Sequence, residues 1–159
     1  MGSEMCIRDS NYTIERYYSM EKIPEEYREY VEEIGEIKGN LAYTLGYVKV
    51  TKNEFNDTLY VYMNNVGDKL RFEIRIYPEE IQRVRETYPG YTFEREFEDE
   101  GISFDVFSKE ESSGEYTYIM YFYYGKEKYI VIGRNDEDRI QDIVIAYKNV
   151  VLSHEGNQQ

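Results

Sequence analysis

Chemistry in a protein chain begins with nucleophiles, bases and metal ligands, and here they are scarce. There is one histidine, His154, and one cysteine, Cys6. A Ser-His-Asp or Cys-His group needs its imidazole held rigidly in a cleft. His154 falls in "SHEGNQQ", which reads as a polar C-terminal tail, so neither arrangement is expected. Zinc sites built on His and Cys fail on count. Neither GxxxxGK[ST] nor GxGxxG occurs, and the nearest glycine-bearing stretch, "ESSGE", carries acids that repel phosphate.

Carboxylates are plentiful: 32 acidic side chains face 19 basic ones, for a net charge of -13. "FEDEGI" (97–102) and "NDEDRIQD" (135–142) could offer oxygens to a hard cation, but neither has EF-hand spacing. They read more simply as a hairpin turn and a helix start. Paired carboxylates could also serve glycoside hydrolysis, yet so many acids guarantee chance pairs. The expectation is therefore no catalytic residue, no metal and no cofactor. An acidic surface repels phosphate backbones and anionic lipid, so nucleic acid is not an expected partner. Solubility accounts for the charge, and attraction to a basic partner is the other reading.

Tyrosine is the remaining feature, with 19 Tyr beside 7 Phe. In "YTYIMYFYY" (116–124), Tyr118, Met120 and Phe122 would face a core, leaving Tyr121 and Tyr123 to face away. In "LYVYMN", Leu59, Val61 and Met63 would face in, and Tyr60 and Tyr62 out. An exposed aromatic patch of this kind binds a protein strand, a peptide or a sugar. Tyr60, Tyr62, Tyr121 and Tyr123 are thus the candidate binding residues, with an unidentified protein or peptide as partner. The competing reading is that helices cover this face and make the tyrosines a second core layer.

The elements that must position these residues follow from periodicity. "NYTIERYYS" (11–19) reads as a strand. "IPEEYREYVEEIGE" reads as a helix: Pro24 suits its first turn, Glu25 and Glu26 its positive end, and Gly35 its stop. Strands follow at "NLAYTLGYVKVTK", "LYVYMN" and "KLRFEIRIY". The first would set Leu41, Tyr43, Leu45 and Tyr47 on one face, with Gly46 marking a bulge or close approach. The last alternates Leu70, Phe72, Ile74 and Ile76 against Arg71, Glu73 and Arg75. Ile81, Val84 and Tyr88 predict a helix from Pro78 to about Thr87, ended by Pro89-Gly90. "YTFEREFE" and "ISFDVFSKE" predict one hairpin. "YTYIMYFYY" and "KYIVIG" predict another, turning at Gly125-Lys126. "NDEDRIQDIVIAYKNVV" closes as a helix capped by Asn135 or Asp136, with Ile140, Ile143, Val144 and Tyr147 inward. The fold class is α+β: a mainly antiparallel sheet of about six to eight strands with two or three helices packed on it. "RFEIRIYPEEIQRVRE" and "YIVIGRNDEDRIQDIV" share a strand-then-acidic-helix pattern, read as two similar junctions rather than a duplication.

Residues 11–152 form the expected single domain, followed by the tail at 153–159. "MGSEMCIRDS" (1–10) is unlike the rest. All ten positions resemble the in-frame translation of a mosaic-end sequencing adapter, so they are expected to be non-native and to pack against nothing. Cys6 then carries no redox information, and a signal or anchor upstream of the fragment would be unseen. No apolar run is long enough to cross a bilayer, so no membrane span is expected in this fragment.

Two stretches carry a family resemblance. "YYSMEKIPEEY" (17–27) is similar to an opening in which a strand runs into a Pro-x-x-Tyr turn. "YFYYGKEKYIVIGRNDEDRIQDIVIAYKNV" (121–150) resembles the matching close: hairpin, tyrosine-rich strand, glycine and acidic-started helix. The family is a domain of unknown function found outside the membrane in anti-sigma-like and membrane-anchored proteins of low-GC Gram-positive bacteria. Its frequent glycine is Glu26 here, and its common tryptophan is absent. The family has no established catalytic residues to carry over. The resemblance implies an extracytoplasmic ligand- or protein-sensing role. The alternative is an intracellular acidic interaction module of the inhibitor or immunity type.

Overall fold

A computed structural model describes residues 13–37, 44–65 and 68–157. Residues 1–10 lie outside these, as do Leu41 and Tyr43. Among the described residues are eight strands and two α-helices. The strands are β1 (Thr13–Tyr17), β2 (Thr44–Lys52), β3 (Asp57–Asn65), β4 (Asp68–Ile76), β5 (Thr92–Asp99), β6 (Ile102–Ser112), β7 (Glu115–Tyr124) and β8 (Glu127–Arg134). The helices are α1 (Glu25–Gly35) and α2 (Glu137–Asn157). The strands form one sheet in the order β1-β2-β3-β4-β8-β7-β6-β5, and every pairing is antiparallel. Two four-stranded meanders thus meet edge to edge, with β4 on β8.

Local sequence explains most of this. The β5–β6 turn is Glu100-Gly101, both with positive φ (52° and 82°), as a two-residue type I′ hairpin requires. Asn135 takes a left-handed φ of 68° and ties its side chain to the Tyr116 N–H at 2.9 Å. Asp136 then caps α2, its Oδ1 accepting the Arg139 N–H at 3.1 Å. At Gly46 the β2–β3 register shifts. An added Cβ there would lie 2.9 Å from the Tyr62 carbonyl oxygen, so the bulge needs glycine. The bulge also corrects the sequence reading: Leu45 packs on the main core, while Tyr47 turns to the opposite face and stacks on Tyr62.

Both helices cover one face. α1 contributes Tyr27, Val31 and Ile34, and α2 contributes Ile140, Ile143, Val144, Tyr147 and Val151. They pack on Val48, Val50, Leu59, Val61, Phe72, Ile74, Met120, Phe122 and Val131. Each such side chain contributes about 1.5–3 kcal/mol by leaving water. Lys148, fully enclosed on α2, donates to Asp99 at 2.6 Å and Glu100 at 2.7 Å, fixing the β5–β6 turn to the helix. Asp99 and Glu100 of "FEDEGI" are thereby engaged, and Glu137 of "NDEDRIQD" pairs with Arg95.

Two sequence expectations fail. Helix α2 runs on to Asn157, so residues 153–157 are helical rather than a loose tail. His154 Nε2 lies 2.7 Å from Glu36 Oε2, which anchors that last turn to the end of α1. The helix expected at 78–87 is absent: from Tyr77 to Tyr91 the chain is an irregular strap. It crosses from β4, mid-sheet, to the edge strand β5 over the face that the helices leave open. Tertiary bonds override the helical spacing of Ile81, Val84 and Tyr88. The Val84 carbonyl accepts from the Tyr123 hydroxyl at 3.1 Å, and the Glu86 N–H donates to the Tyr121 hydroxyl at 3.0 Å. A helix would have consumed those backbone groups internally. With the first junction a strap and the second a helix, the two similar sequence segments are not equivalent elements.

Candidate functional site

The strap divides the open face. On its side of the sheet it seals a small second core of Phe107, Ile119, Tyr121 and Ile130, flanked by Tyr88 and Tyr123. Two charges are enclosed there, Asp105 and Lys128, each with no exposed side-chain surface. Asp105 accepts from Arg83 at 2.6 Å and from the Tyr121 hydroxyl at 2.8 Å. Lys128 pairs with Glu86, donates to the Tyr88 hydroxyl oxygen at 3.0 Å, and sits 3.9 Å from the Tyr121 ring centroid. Burial lowers the Lys128 ammonium to about 8, against the pull of Glu86. Burial would raise the Glu86 carboxyl, but Lys128 and Arg75 hold it below its ordinary value. Every enclosed charge here has a partner, which is what makes its burial tolerable.

Tyr121 therefore lies fully buried, and Tyr123 is half-buried with its hydroxyl on the strap. A strap, not helices, does the covering. Tyr60 and Tyr62 are on the other half of the same face, half-buried but outside the strap's cover. Lys49 Nζ rests 4.4 Å over the Tyr60 ring. The four candidate tyrosines thus share a face but not an environment.

Beyond the strap the open face forms a groove of about 610 Å³, within the range of ligand sites. Its aromatic wall is a pair. The Tyr47 and Tyr62 rings stack at 4.4 Å with 16° between their planes. Tyr91, the last residue of the strap, lines the other side, and Thr117 and Ile132 lie between. Among the described residues, Arg71 and Arg134 are the charged members of the lining and no carboxylate belongs to it. Arg71 stands 5.8 Å from the Tyr62 ring centroid and pairs with Glu73 at 3.1 Å, while its enclosed Nε meets no acceptor. The groove spans the seam, since β2–β4 supply one bank and β7–β8 the other.

Of the groove residues, Tyr62 was legible as outward-facing, and so was Arg71. Tyr47 was missed because the Gly46 bulge reverses its side. Arg134 carried no local signal, being the last residue of β8. No helix among the described residues is long and apolar enough to cross a membrane. No family model, curated protein or solved structure matches this chain.

Proposed function

We propose that this chain is a non-enzymatic, sensor-like binding domain whose ligand is a small ring-bearing anion. The observation that carries the reading is the groove itself: two stacked tyrosines, a third opposite, and two arginines with no carboxylate among the described lining residues of a chain of net charge -13. Stacked rings accept a flat sugar or aromatic face, and guanidinium groups accept a carboxylate in fork geometry. The fold itself gives the Arg71 Nε–H no acceptor. An extracytoplasmic setting rests on the resemblance carried by residues 17–27 and 121–150.

Titration with sodium glucuronate and with 4-hydroxybenzoate, followed by amide NMR, tests this reading. The expected result is shifts at Thr117, Ile132 and Gly133. Arg71→Gln and Tyr62→Ala should each weaken binding about tenfold, and neutral glucose should bind far less. Anions that leave those amides unmoved, or that bind no better than glucose, would overturn it.

A further inference from the structure

A second cleft, of about 360 Å³, opens on the helix side of the sheet, where α1, α2 and the end of the β7–β8 hairpin converge. Its character is the reverse of the groove's. Glu25, Glu26, Glu29 and Glu33 reach it from α1 and Glu127 from β8, and among the described residues the one basic member of the lining is His154. Tyrosine rings complete the walls: Tyr30, Tyr124 and Tyr129. The Tyr30 hydroxyl donates to Glu127 Oε2 at 2.9 Å, which turns that carboxylate toward the rings.

An acidic cleft alone says little, because acids also gather for solubility. Glu33 is different. Its side chain is only 8% exposed, yet its Oε1 is enclosed with no hydrogen-bond donor. Its other oxygen lies 3.8 Å from His154 Nδ1, too far for a hydrogen bond. The Tyr147 hydroxyl, fully buried in the core and coupled electrostatically to Glu33, also lacks a partner. A buried acceptor without a donor is costly unless something fills the gap. Among the described residues no group of three or more His, Cys, Asp or Glu is placed to hold a metal ion. A cation with its own reach and apolar body fits better. Carboxylates take an ammonium, and tyrosine faces take the same charge through the ring quadrupole.

We propose that this cleft binds an organic cation through a primary ammonium group that donates to Glu33 and rests against the surrounding tyrosine rings. The site is independent of the groove on the opposite face. Titration reinforces it. Burial pushes Glu33 up to about 7, with His154 opposing and Glu29, Glu127 and Glu36 adding. Burial lowers His154, but the Glu36 hydrogen bond and the Glu33 charge carry it above its ordinary value. Raising pH therefore ionises Glu33 and discharges His154, and both make the cleft more negative. The phenols of Tyr30, Tyr129 and Tyr147, all held above their ordinary value by burial, stay neutral over that span.

Calorimetry on the full chain with putrescine and with Nα-acetyl-lysine amide, against a potassium chloride background, tests the proposal. A saturable one-to-one isotherm is expected, tightening about tenfold between pH 6 and pH 8. Glu33→Gln should weaken it about tenfold or more, while Glu98→Gln, at an exposed position on β5, should change it less than about twofold. Preference for putrescine would identify a free diamine. Equal or tighter binding of the lysine amide would identify a lysine side chain of a partner. No saturable binding by ~10 mM, or equal loss in the two variants, would overturn the proposal, the latter by showing attraction to net charge alone.

Discussion

Glu33 is where a single side chain bears most directly on stability. Its carboxyl is shifted from the ordinary 4.5 up to about 7, chiefly by burial. Folding thus favours the neutral form. The contribution is fully present below the unfolded value and is lost as pH rises through 7. Each pKa unit is worth about 1.4 kcal/mol, so the ionised residue costs roughly 3 kcal/mol. Glu33→Gln is expected to raise stability by about 1–3 kcal/mol at pH 8.5 and to change little at pH 5. Urea unfolding at the two pH values checks this, and a variant destabilised at both would show that the carboxyl is satisfied by the fold. A glutamate kept where glutamine folds better is a sign of a binding role, since function commonly occupies such costly positions.

The strap is the element on which the fold departs furthest from its own periodicity. It is held by a few specific bonds, and Glu86 is central to them, bridging Lys128 and Arg75 (3.1 Å). Glu86→Ala leaves Lys128 enclosed without a counter-charge. Breaking a fully buried pair costs about 3–5 kcal/mol, and the partial exposure of Glu86 reduces the expectation to about 2–3 kcal/mol. Adding Lys128→Met should recover at least half, because the desolvated ammonium is then gone. A loss below about 0.5 kcal/mol in the single variant would mean that the network does not hold the strap. Lys128 also sets a pH signature. Its folded pKa, about 8, lies below the ordinary 10.5, so the native state binds fewer protons than the unfolded chain between these values. Stability from this residue accordingly rises with pH across that window.

At the scale of the whole molecule, what was legible in the sequence was whatever neighbours in the chain decide. The β5–β6 and β7–β8 hairpins, the Asp136 cap and the α1 start at Glu25 rest on turn and capping chemistry within a few residues. The alternation on β4 placed Arg71 outward correctly. What was hidden depends on distant partners. Ile81, Val84 and Tyr88 have helical spacing, and only Asp105, Tyr121 and Lys128, many residues later, turn that stretch into a strap. For the same reason the sequence left Tyr121 open between an exposed patch and a second core layer, and it is the latter. Glu33 and His154 are far apart in sequence, so their shared cleft gave no signal.

The meeting of β4 and β8 has a mechanical meaning. It is the hydrogen-bonded seam between two meanders, running from Arg71 opposite Ile132 to Ile76 opposite Glu127. The groove straddles its Arg71–Ile132 end, so a molecule lodged between Tyr47–Tyr62 and Arg134 would brace the two half-sheets as a strut braces a hinge. Occupancy would be felt as stiffness: amide exchange at Phe72 and Ile132 should slow on saturation with glucuronate, while exchange in β5 and β1, at the outer edges, should hold steady. Equal slowing everywhere would show that the ligand stabilises the fold globally and that the seam does not yield on its own.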